Sequence, residues 1–306
     1  MSGAYCSLQE LVNLRLKAKS LPLFKNTQSR SLMFGGARSP FKGRGVDFEE
    51  VRAYQFGDDI RTIDWRVTAR RMKPHTKVFR EERERPVMIL LDQSHSLFFG
   101  SQLNFKSVTA AEATAMISWA TLEHGDRIGG ILFNEDTLTE IRPRRSNQSL
   151  MHLFGQTEQF NQKLSINSMP GQPPKGYLAK ALRRAKRVAH PGTHIFIISD
   201  FNNLDDEASQ HLGQLARHSQ LLAIQIFDPL EHELPPPNRY TVTNGTHLHT
   251  VDTRQKGLRQ QFHQQNEQRN QWLANEFRRY RIPLLPLTTV SETSEQLLRH
   301  FGTVKK

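Results

Sequence analysis

The sequence predicts an α/β protein built around a doubly wound, mostly parallel sheet. From Pro86 onward, short apolar runs alternate with helical patterns, an order typical of parallel strands joined by helices that cover both faces of a sheet. The apolar run at residues 87–91 has the length of a buried strand and is followed by an acidic residue. With 306 residues, the chain is long enough for one large domain or two small ones with a real core.

The N-terminal part of the chain has a different character. Ser7 and Glu10 have the spacing of a capping box, which predicts a short helix that continues to about Leu21. Residues 26–45 are rich in serine, glycine and arginine and have the pattern of a loop, without the Lys-Ser or Lys-Thr of a phosphate-binding loop. We therefore expect an irregular, β-containing, arginine-rich module at residues 1–84 and the α/β domain at residues 85–306.

Each element of the α/β domain follows from its own pattern of apolar residues. Residues 228–252 interrupt the series with three consecutive prolines and an Asn-Gly turn, which predicts a loop with a hairpin. The predicted strands are residues 87–91, 127–133, 137–141, 194–199, 221–227 and 283–287. The predicted helices are residues 104–124, 146–160, 178–189, 205–217, 254–281 and 294–301.

Composition limits the classes of function. The formal net charge of +12 is compatible with binding to nucleic acid or to an anionic surface. However, acidic residues lie among the arginines of residues 61–85 and few aromatic residues do, which is typical of a solvated, ion-paired surface. The apolar runs are too short for a membrane span, the N-terminus lacks a secretory pattern, and the single cysteine, Cys6, excludes an internal disulfide. We expect a cytoplasmic protein without a membrane span and without a nucleic-acid partner.

Three oxygen-bearing side chains follow the first strand of the α/β domain. Asp92, Ser94 and Ser96 are two residues apart, so in an extended segment their side chains point the same way. Open α/β sheets bind ligands beyond the carboxyl ends of their strands, and a carboxylate with two hydroxyls suits a magnesium-like cation. The pattern by itself favours a simpler interpretation, a strand that runs into a serine-rich helix cap, and only its position after the strand supports the metal interpretation.

Residues 46–65 form a second unusual stretch, in which arginines and aspartates lie close together in sequence. Planar arginine side chains are the usual partners of buried carboxylates, so we expect Arg–Asp pairs that hold the N-terminal module onto the sheet. A catalytic interpretation would need a nucleophile or base beside them, and the stretch supplies none. The residues concerned are Arg52, Arg61, Asp58, Asp59 and Asp64 within the stretch, and Arg66 and Arg70 just after it.

Four segments together resemble a known family, the domain of unknown function 58. They are R-A-Y-Q-F-G-D-D-I-R-T-I-D-W-R-V-T-A-R, I-L-L-D-Q-S-H-S, G-D-R-I-G-G-I-L-F and I-I-S-D-F, within a likeness that runs from about Gly43 to the C-terminus. The resemblance implies a von Willebrand factor A-like domain. It also implies a partnership with a MoxR-type AAA+ ATPase, encoded nearby, in chaperone-like maturation or metal insertion of client proteins. Many relatives carry membrane helices near the N-terminus, and this sequence does not.

The resemblance implies a metal-ion-dependent adhesion site with an Asp-x-Ser-x-Ser element, a threonine in a second loop and an aspartate in a third. Asp92, Ser94 and Ser96 match the first element, and Asp200 matches the third. Gly176 takes the position of the threonine, with Lys175 and Tyr177 beside it, so one hydroxyl ligand is missing. A magnesium ion on Asp92, Ser94, Ser96 and Asp200 is therefore an expectation for an incomplete site, in which the charge of Lys175 is an alternative to the cation.

Other candidate sites have simpler explanations. His247 and His249 share one face of a predicted strand but have no third ligand, so an exposed hairpin is expected. His95 is expected to be an incidental surface histidine, Cys6 to be inert in a mobile terminus, and residues 254–281 to pack on the sheet through one apolar stripe. We interpret the chain as a non-enzymatic protein-binding module. The alternatives are a metal-dependent hydrolase using Asp92 and Asp200, which would need a base in the same loops, and a basic nucleic-acid-binding protein.

Overall fold

The computed structural model describes residues 3–23, 46–56, 58–81, 86–166, 174–243 and 248–302. They form two compact units. The small unit contains the described residues from 46 to 81, and the large unit contains residues 3–23 and those from 86 onward. The predicted loop at residues 26–45 lies outside the described residues.

The small unit is a hairpin with a short helix between its strands. Strand β1, Val46–Ala53, pairs antiparallel with strand β2, His75–Glu81, and the register shifts between Phe48 and Glu50. Helix α3, Trp65–Arg71, begins at Asp64, whose carboxylate accepts hydrogen bonds from two backbone amides. Of the expected Arg–Asp pairs, Arg52 and Asp58 form one at 2.8 Å, while Asp59 and Asp64 cap helical turns.

The N-terminal segment belongs to the large unit, in contrast to the predicted module of residues 1–84. The capping box of Ser7 and Glu10 is present, but the predicted helix is split at Leu14 into α1, Leu8–Asn13, and α2, Arg15–Ala18. Leu11 is buried in the same core as the sheet, and its carbonyl accepts a hydrogen bond from Trp119 Nε1 at 3.1 Å. Apolar contacts made by these helices are the physical reason for the different division of the chain.

The large unit contains a six-stranded sheet in which five strands are parallel. The exception is the edge strand β5, which pairs antiparallel with β4. The strand order along the sheet is β10-β7-β6-β3-β4-β5, and the prediction of a doubly wound, mostly parallel α/β fold is confirmed. The strands are β3 Val87–Asp92, β4 Ile128–Phe133, β5 Leu138–Arg144, β6 His194–Ser199, β7 Gln220–Phe227 and β10 Leu284–Thr288.

Side chains alternate between two cores, one on each face of the sheet. In β3, for example, Ile89 and Leu91 face one core whereas Met88 and Leu90 face the other. One face is covered by α4 Lys106–His124, α5 Asn147–Gln162 and α10 Thr293–Phe301. The other is covered by α6 Tyr177–Val188, α7 Asp206–Ala216 and α9 Lys256–Arg279.

Helix α4 is buried along most of its length, because it lies between the sheet on one side and the N-terminal helices, α5 and α10 on the other. Its many alanine, serine and threonine residues allow close approach on all sides. A helix this enclosed holds its side chains in fixed positions, including the buried side chain of Lys106 in its first turn.

The segment before α9 contains the predicted hairpin and a short helix. Helix α8, Pro229–His232, follows β7, and strands β8, Arg239–Thr243, and β9, Leu248–Asp252, pair antiparallel. Of the expected apolar stripe of α9, Leu273 and Phe277 are buried in the core, Leu258 and Phe262 are half-buried, and Trp272 is exposed. Among the helices of the described residues, none has the length and apolar character needed to cross a membrane.

Candidate functional site

Two neighbouring parallel strands end in aspartates at the same edge of the sheet. Strand β3 ends at Asp92, and Asp200 follows β6 directly. With strands counted in chain order within the sheet, the spatial order is 3-2-1-4-5-6 and reverses between these two strands. Open α/β sheets bind ligands at such a reversal. The structure therefore brings the two predicted acidic residues to the point where this architecture forms sites.

The carboxylate of Asp92 is buried and held by neutral donors. Ser199 Oγ donates to its Oδ2 at 2.6 Å, and the backbone amide of Ser94 donates to its Oδ1 at 2.9 Å. Burial, together with the negative charge of Asp200, raises the pKa of Asp92 to about 7, although the hydrogen bonds from the two serines act in the opposite direction.

The two predicted serine ligands lie in the same cluster of oxygens. Ser94 Oγ is 3.1 Å from Ser96 Oγ, and a hydrogen bond from Ser96 contributes to lowering the pKa of Asp200. Ser94 is buried and Ser96 is half-buried, so Ser96 forms the outer part of the cluster. The structure thus brings Asp92, Ser94, Ser96 and Asp200 together at one place.

The serine loop is anchored to the next loop of the sheet. Its single turn of 3₁₀ helix, His95–Leu97, places the amide of His95 2.8 Å from Glu135 Oε1, and the ring Nδ1 lies 3.3 Å from Oε2. Glu135 follows β4 and is buried. His95 is therefore a half-buried anchor of the loop, in contrast to the expected incidental surface histidine.

Asp200 is buried and has donors on both carboxylate oxygens. The amide of Asn202 donates to Oδ1 at 2.9 Å, while the side-chain nitrogen of Asn202 and Lys106 Nζ donate to Oδ2 at 2.7 and 2.9 Å. Burial alone would raise the pKa of Asp200, but the Lys106 ammonium and the Asn202 donor outweigh it and hold that pKa below its usual value.

Sequence reasoning missed Lys106, which stands in the first turn of α4. Its side chain has no solvent exposure, and its Nζ lies 2.5 Å from Glu231 Oε1 as well as 2.9 Å from Asp200 Oδ2. Burial alone would lower the pKa of Lys106, but the negative charges of Asp200 and Glu231 outweigh this and raise it, so the side chain is an ammonium at neutral pH. The sequence around Lys106 carries no signal for this role, because a lysine in the first turn of a helix is usually solvated.

The second loop supplies a hydroxyl from an unexpected residue. Gly176, in the position that the family gives to threonine, has a φ of +80° and begins α6. The next residue, Tyr177, points its hydroxyl into the cluster, 3.3 Å from Ser94 Oγ. Burial, with the charge of Asp92, raises the pKa of Tyr177, so it is a neutral phenol. Lys175 is exposed, so it is not the lysine in contact with Asp200.

These residues fit a magnesium ion poorly. Asp200 is already paired with the Lys106 ammonium, which would repel a divalent cation at short range. Position 176 has no side-chain oxygen, and the phenol of Tyr177 is a weak ligand for a hard cation. Only the buried carboxylate of Asp92, whose hydrogen-bond donors are neutral, is suited to a cation. The site therefore gives no role to a metal, and the magnesium ion expected from the sequence stays a prediction.

A cavity of about 240 Å³ adjoins the cluster on the side of Asp200. It lies between the carboxyl ends of β6 and β7 and helix α9, and polar side chains such as Glu231, Arg269 and Asn270 line it. Arg269 donates to the carbonyl of Phe201 at 2.8 Å, which fixes its position over the Asp200 loop. The edge therefore has both a buried polar cluster and an open polar recess.

The remaining sequence candidates have little connection with this edge. Cys6 is buried rather than mobile, its amide donates to Asn161 Oδ1 at 2.8 Å, and burial raises its pKa to about 12. His247 lies outside the described residues, as does the side chain of His249. Within the described part of the chain, no group of three or more His, Cys, Asp and Glu side chains has the arrangement of a metal site.

Sequence comparison relates the chain to proteins without a known activity. Residues 50–271 match the family model described as "Protein of unknown function DUF58". Uncharacterised proteins of Mycobacterium bovis and Mycobacterium tuberculosis are each 31% identical over 219 residues. The matched region is 71% of this chain and 66% of the relatives, so it spans just under two thirds of their length.

Structure comparison finds proteins with low sequence identity. The conserved hypothetical protein BatB of Bacteroides thetaiotaomicron is similar over 70% of this chain and 94% of its own, with a TM-score of 0.39 and 15% identity. A manganese-loaded TRAP protein of Plasmodium vivax is similar over 46% of this chain and 57% of its own, with a TM-score of 0.30 and 16% identity.

Proposed function

The chain belongs to the family of proteins of unknown function DUF58, and from this premise we propose that it is a non-enzymatic protein-binding module of the cytoplasm. It holds a client protein at the carboxyl edge of the large sheet and acts with a MoxR-type AAA+ ATPase as an adaptor. The observation that supports this function most directly is the meeting of Asp92, Ser94, Ser96 and Asp200 at the strand-order reversal.

The surface around that cluster has the composition of a protein interface. The half-buried Ser96 offers a hydroxyl, and Phe99 and Leu103 in the following loop are 41% and 51% exposed. Aromatic and apolar groups beside a few fixed polar groups are typical of binding surfaces. The recess beside Asp200 gives room for a polar side chain of the client.

A second apolar surface lies on the small unit. Phe56, Ile60, Trp65 and Met72 are between 66% and 105% exposed, although all are large apolar side chains. Exposed apolar groups on this scale are more common at interaction sites than on inert surfaces. Phe56, Ile60 and Trp65 fall in the segment at residues 52–70 by which the chain resembles its family, so we assign this surface to the partner that the resemblance implies, the MoxR-type ATPase.

Binding rather than hydrolysis is favoured by the surroundings of the serines. A nucleophilic serine needs a base within hydrogen-bond reach. The hydroxyl of Ser94 lies beside two other hydroxyls, those of Ser96 and Tyr177, and interacts with the carboxylate of Asp92. Both oxygens of that carboxylate already accept hydrogen bonds, from the amide of Ser94 and from Ser199 Oγ, so Asp92 is not a free base for the serine.

The experiment measures binding of the full chain to the purified MoxR-type ATPase encoded in the same genome. We expect the double variant Phe56→Ser with Trp65→Ser to weaken binding at least about tenfold, the effect of one lost apolar anchor pair. Leu16→Ser, an equally exposed apolar position on the large unit, is the matched control and should leave binding unchanged. Absence of binding by the natural chain, or equal binding by all variants, would contradict the adaptor role.

Binding to a polyanion is a second candidate, and helix α6 is the observation that favours it. Its outward face carries five exposed basic side chains, namely Lys180, Arg183, Arg184, Lys186 and Arg187. Arg184 is paired with Glu140, which reduces the free charge of that face. Affinity for double-stranded DNA that falls steeply between low and physiological salt would support this candidate, and no measurable affinity at low salt would reject it.

A further inference from the structure

We propose that the ammonium of Lys106 takes the place of a divalent cation at the edge of the sheet, so that the site is complete without metal. This inference concerns the same site as the proposed function and rests on that function only for the identity of the edge as a binding surface.

The first support is the charge that Lys106 places at the cluster. In a metal-dependent site of this type, the third-loop aspartate faces the ion. Here Asp200 faces Lys106 Nζ at 2.9 Å, and Glu231 provides a second carboxylate to the same nitrogen. The positive charge that a carboxylate at this position requires is therefore supplied by the chain itself.

The second support is the burial of Lys106. Its side chain is fully buried, and its backbone amide donates to the carbonyl of Phe99 at 2.7 Å at the start of α4. Because α4 is enclosed by the sheet and by other helices, its backbone holds Lys106 in place, and the buried ammonium contacts two carboxylates. An ion that competes for Asp200 would have to leave a lysine charge buried and unpaired with this carboxylate, which is unfavourable.

The third support is the second loop. The ligand expected there is absent at Gly176, and the phenol of Tyr177 fills the adjacent space and contacts Ser94. Asn202 donates to both oxygens of Asp200, so each oxygen of that carboxylate accepts a hydrogen bond in addition to the contact with Lys106. The second and third loops therefore both differ from those of a metal site, as expected if Lys106 supplies the positive charge. The two loops and Lys106 come from different parts of the chain.

The test is a titration of the full natural chain with Mn²⁺, followed by electron paramagnetic resonance of the free ion. We expect no saturable binding at millimolar Mn²⁺, a concentration that fills even weak protein sites for divalent ions. Lys106→Gln frees Asp200 and should create a saturable Mn²⁺ site, whereas Lys175→Gln, which removes an exposed lysine of the second loop, should not.

Lys106→Gln leaves two carboxylates without their lysine, which disfavours folding. A second variant with only one unpaired carboxylate is therefore measured as well. Lys106→Gln combined with Glu231→Gln keeps only Asp200 unpaired and should bind Mn²⁺ in the same way. In both variants the unfolding temperature should rise with added Mn²⁺, and in the natural chain it should not.

Saturable Mn²⁺ binding by the natural chain that is lost in Asp200→Asn would overturn the inference, as would an equal response of the natural chain and the Lys106 variants. These measurements contain no partner protein. A natural chain that binds neither Mn²⁺ nor the ATPase would therefore contradict the proposed function and support the inference about Lys106.

Discussion

Ser199 Oγ, at the end of β6, donates a hydrogen bond of 2.6 Å to Oδ2 of Asp92, at the end of β3, across 107 positions of the chain. The same hydroxyl accepts a hydrogen bond from the amide of Phe201 at 2.9 Å. This serine therefore fixes the carboxylate of the first loop and the backbone of the third loop at once. The two loops that carry the acidic residues of the site are held as one structure.

Replacing Asp92 by asparagine should change how stability depends on pH. The pKa of Asp92 is raised to about 7 in the folded chain from 3.8, mainly by burial, so the folded state favours its neutral form. The stability that this protonated group contributes is present below pH 4 and is lost as the pH rises through 7. In a chelating buffer, Asp92→Asn should therefore gain stability relative to the natural chain between pH 4 and pH 7, and the difference should be constant above pH 7.

Urea unfolding of both chains at pH 5 and pH 8 measures this effect. Ser199→Ala is a useful comparison, because it removes a hydrogen bond to the same carboxylate and leaves the titrating group in place. A stability difference between the natural chain and Asp92→Asn that is the same at both pH values would show that Asp92 does not titrate in this range.

Replacing Lys106 by methionine should strongly destabilise the large unit. The substitution removes the ammonium and leaves the buried carboxylate of Asp200 without its cation. Loss of one partner from a buried ion pair typically costs about 3–5 kcal/mol. Urea unfolding of Lys106→Met in a chelating buffer measures the cost.

Two further variants distinguish the loss of the ion pair between Lys106 and Asp200 from the loss of the space that the lysine side chain fills. Lys106→Met combined with Asp200→Asn removes both charges and should recover part of the stability, whereas Lys175→Met changes an exposed lysine and should have little effect. A double variant that is no more stable than Lys106→Met would place the cost in the shape of the lysine rather than in its charge.

Cys6 should be unreactive towards thiol reagents in the native protein. The side chain is buried, and burial raises its pKa to about 12, so very little thiolate is present at pH 8. We expect Ellman's reagent to modify Cys6 only as fast as the N-terminal segment opens. Cysteine introduced at the exposed Leu16 provides the comparison, and equally fast reaction at both positions would contradict burial of Cys6.

Replacing Asp64 by alanine should loosen helix α3 of the small unit. The carboxylate of Asp64 accepts hydrogen bonds from the amides of Arg66 and Val67, at 3.0 and 3.1 Å. Loss of such a cap costs about 1 kcal/mol, which corresponds to about fivefold faster amide hydrogen exchange in the helix. Asp205→Ala removes the equivalent cap of α7 in the large unit and should leave exchange in α3 unchanged.

Much of the large unit was predictable because its signals are local. The strand at residues 87–91 is present as Val87–Asp92, and the strand at residues 194–199 has the predicted bounds. A buried parallel strand is a continuous apolar run, so its position is readable without knowledge of its neighbours. The N-terminal helices were harder to place, because the side that they bury is defined by α4, about a hundred residues later.

The residues of the candidate site likewise differ in whether the sequence around them signals their role. Asp92 and Asp200 were found because each follows an apolar strand, and parallel strands bring their carboxyl ends to one edge. Tyr177 was noted only as a neighbour of the empty threonine position, and its contact with Ser94 spans 83 positions. Lys106 had no local signal, because a lysine in a first helical turn is usually solvated.

The sequence by itself determined the doubly wound sheet, the ends of its strands and the meeting of two acidic loops, since these depend on apolar periodicity and on residues adjacent in the chain. Only the tertiary structure decided what charge faces those loops. Lys106 and Asp200 are 94 positions apart, and their contact exists because the sheet and α4 fix both buried groups at the same edge. The electrostatics of a buried site depend on such long-range contacts, which residue spacing does not encode.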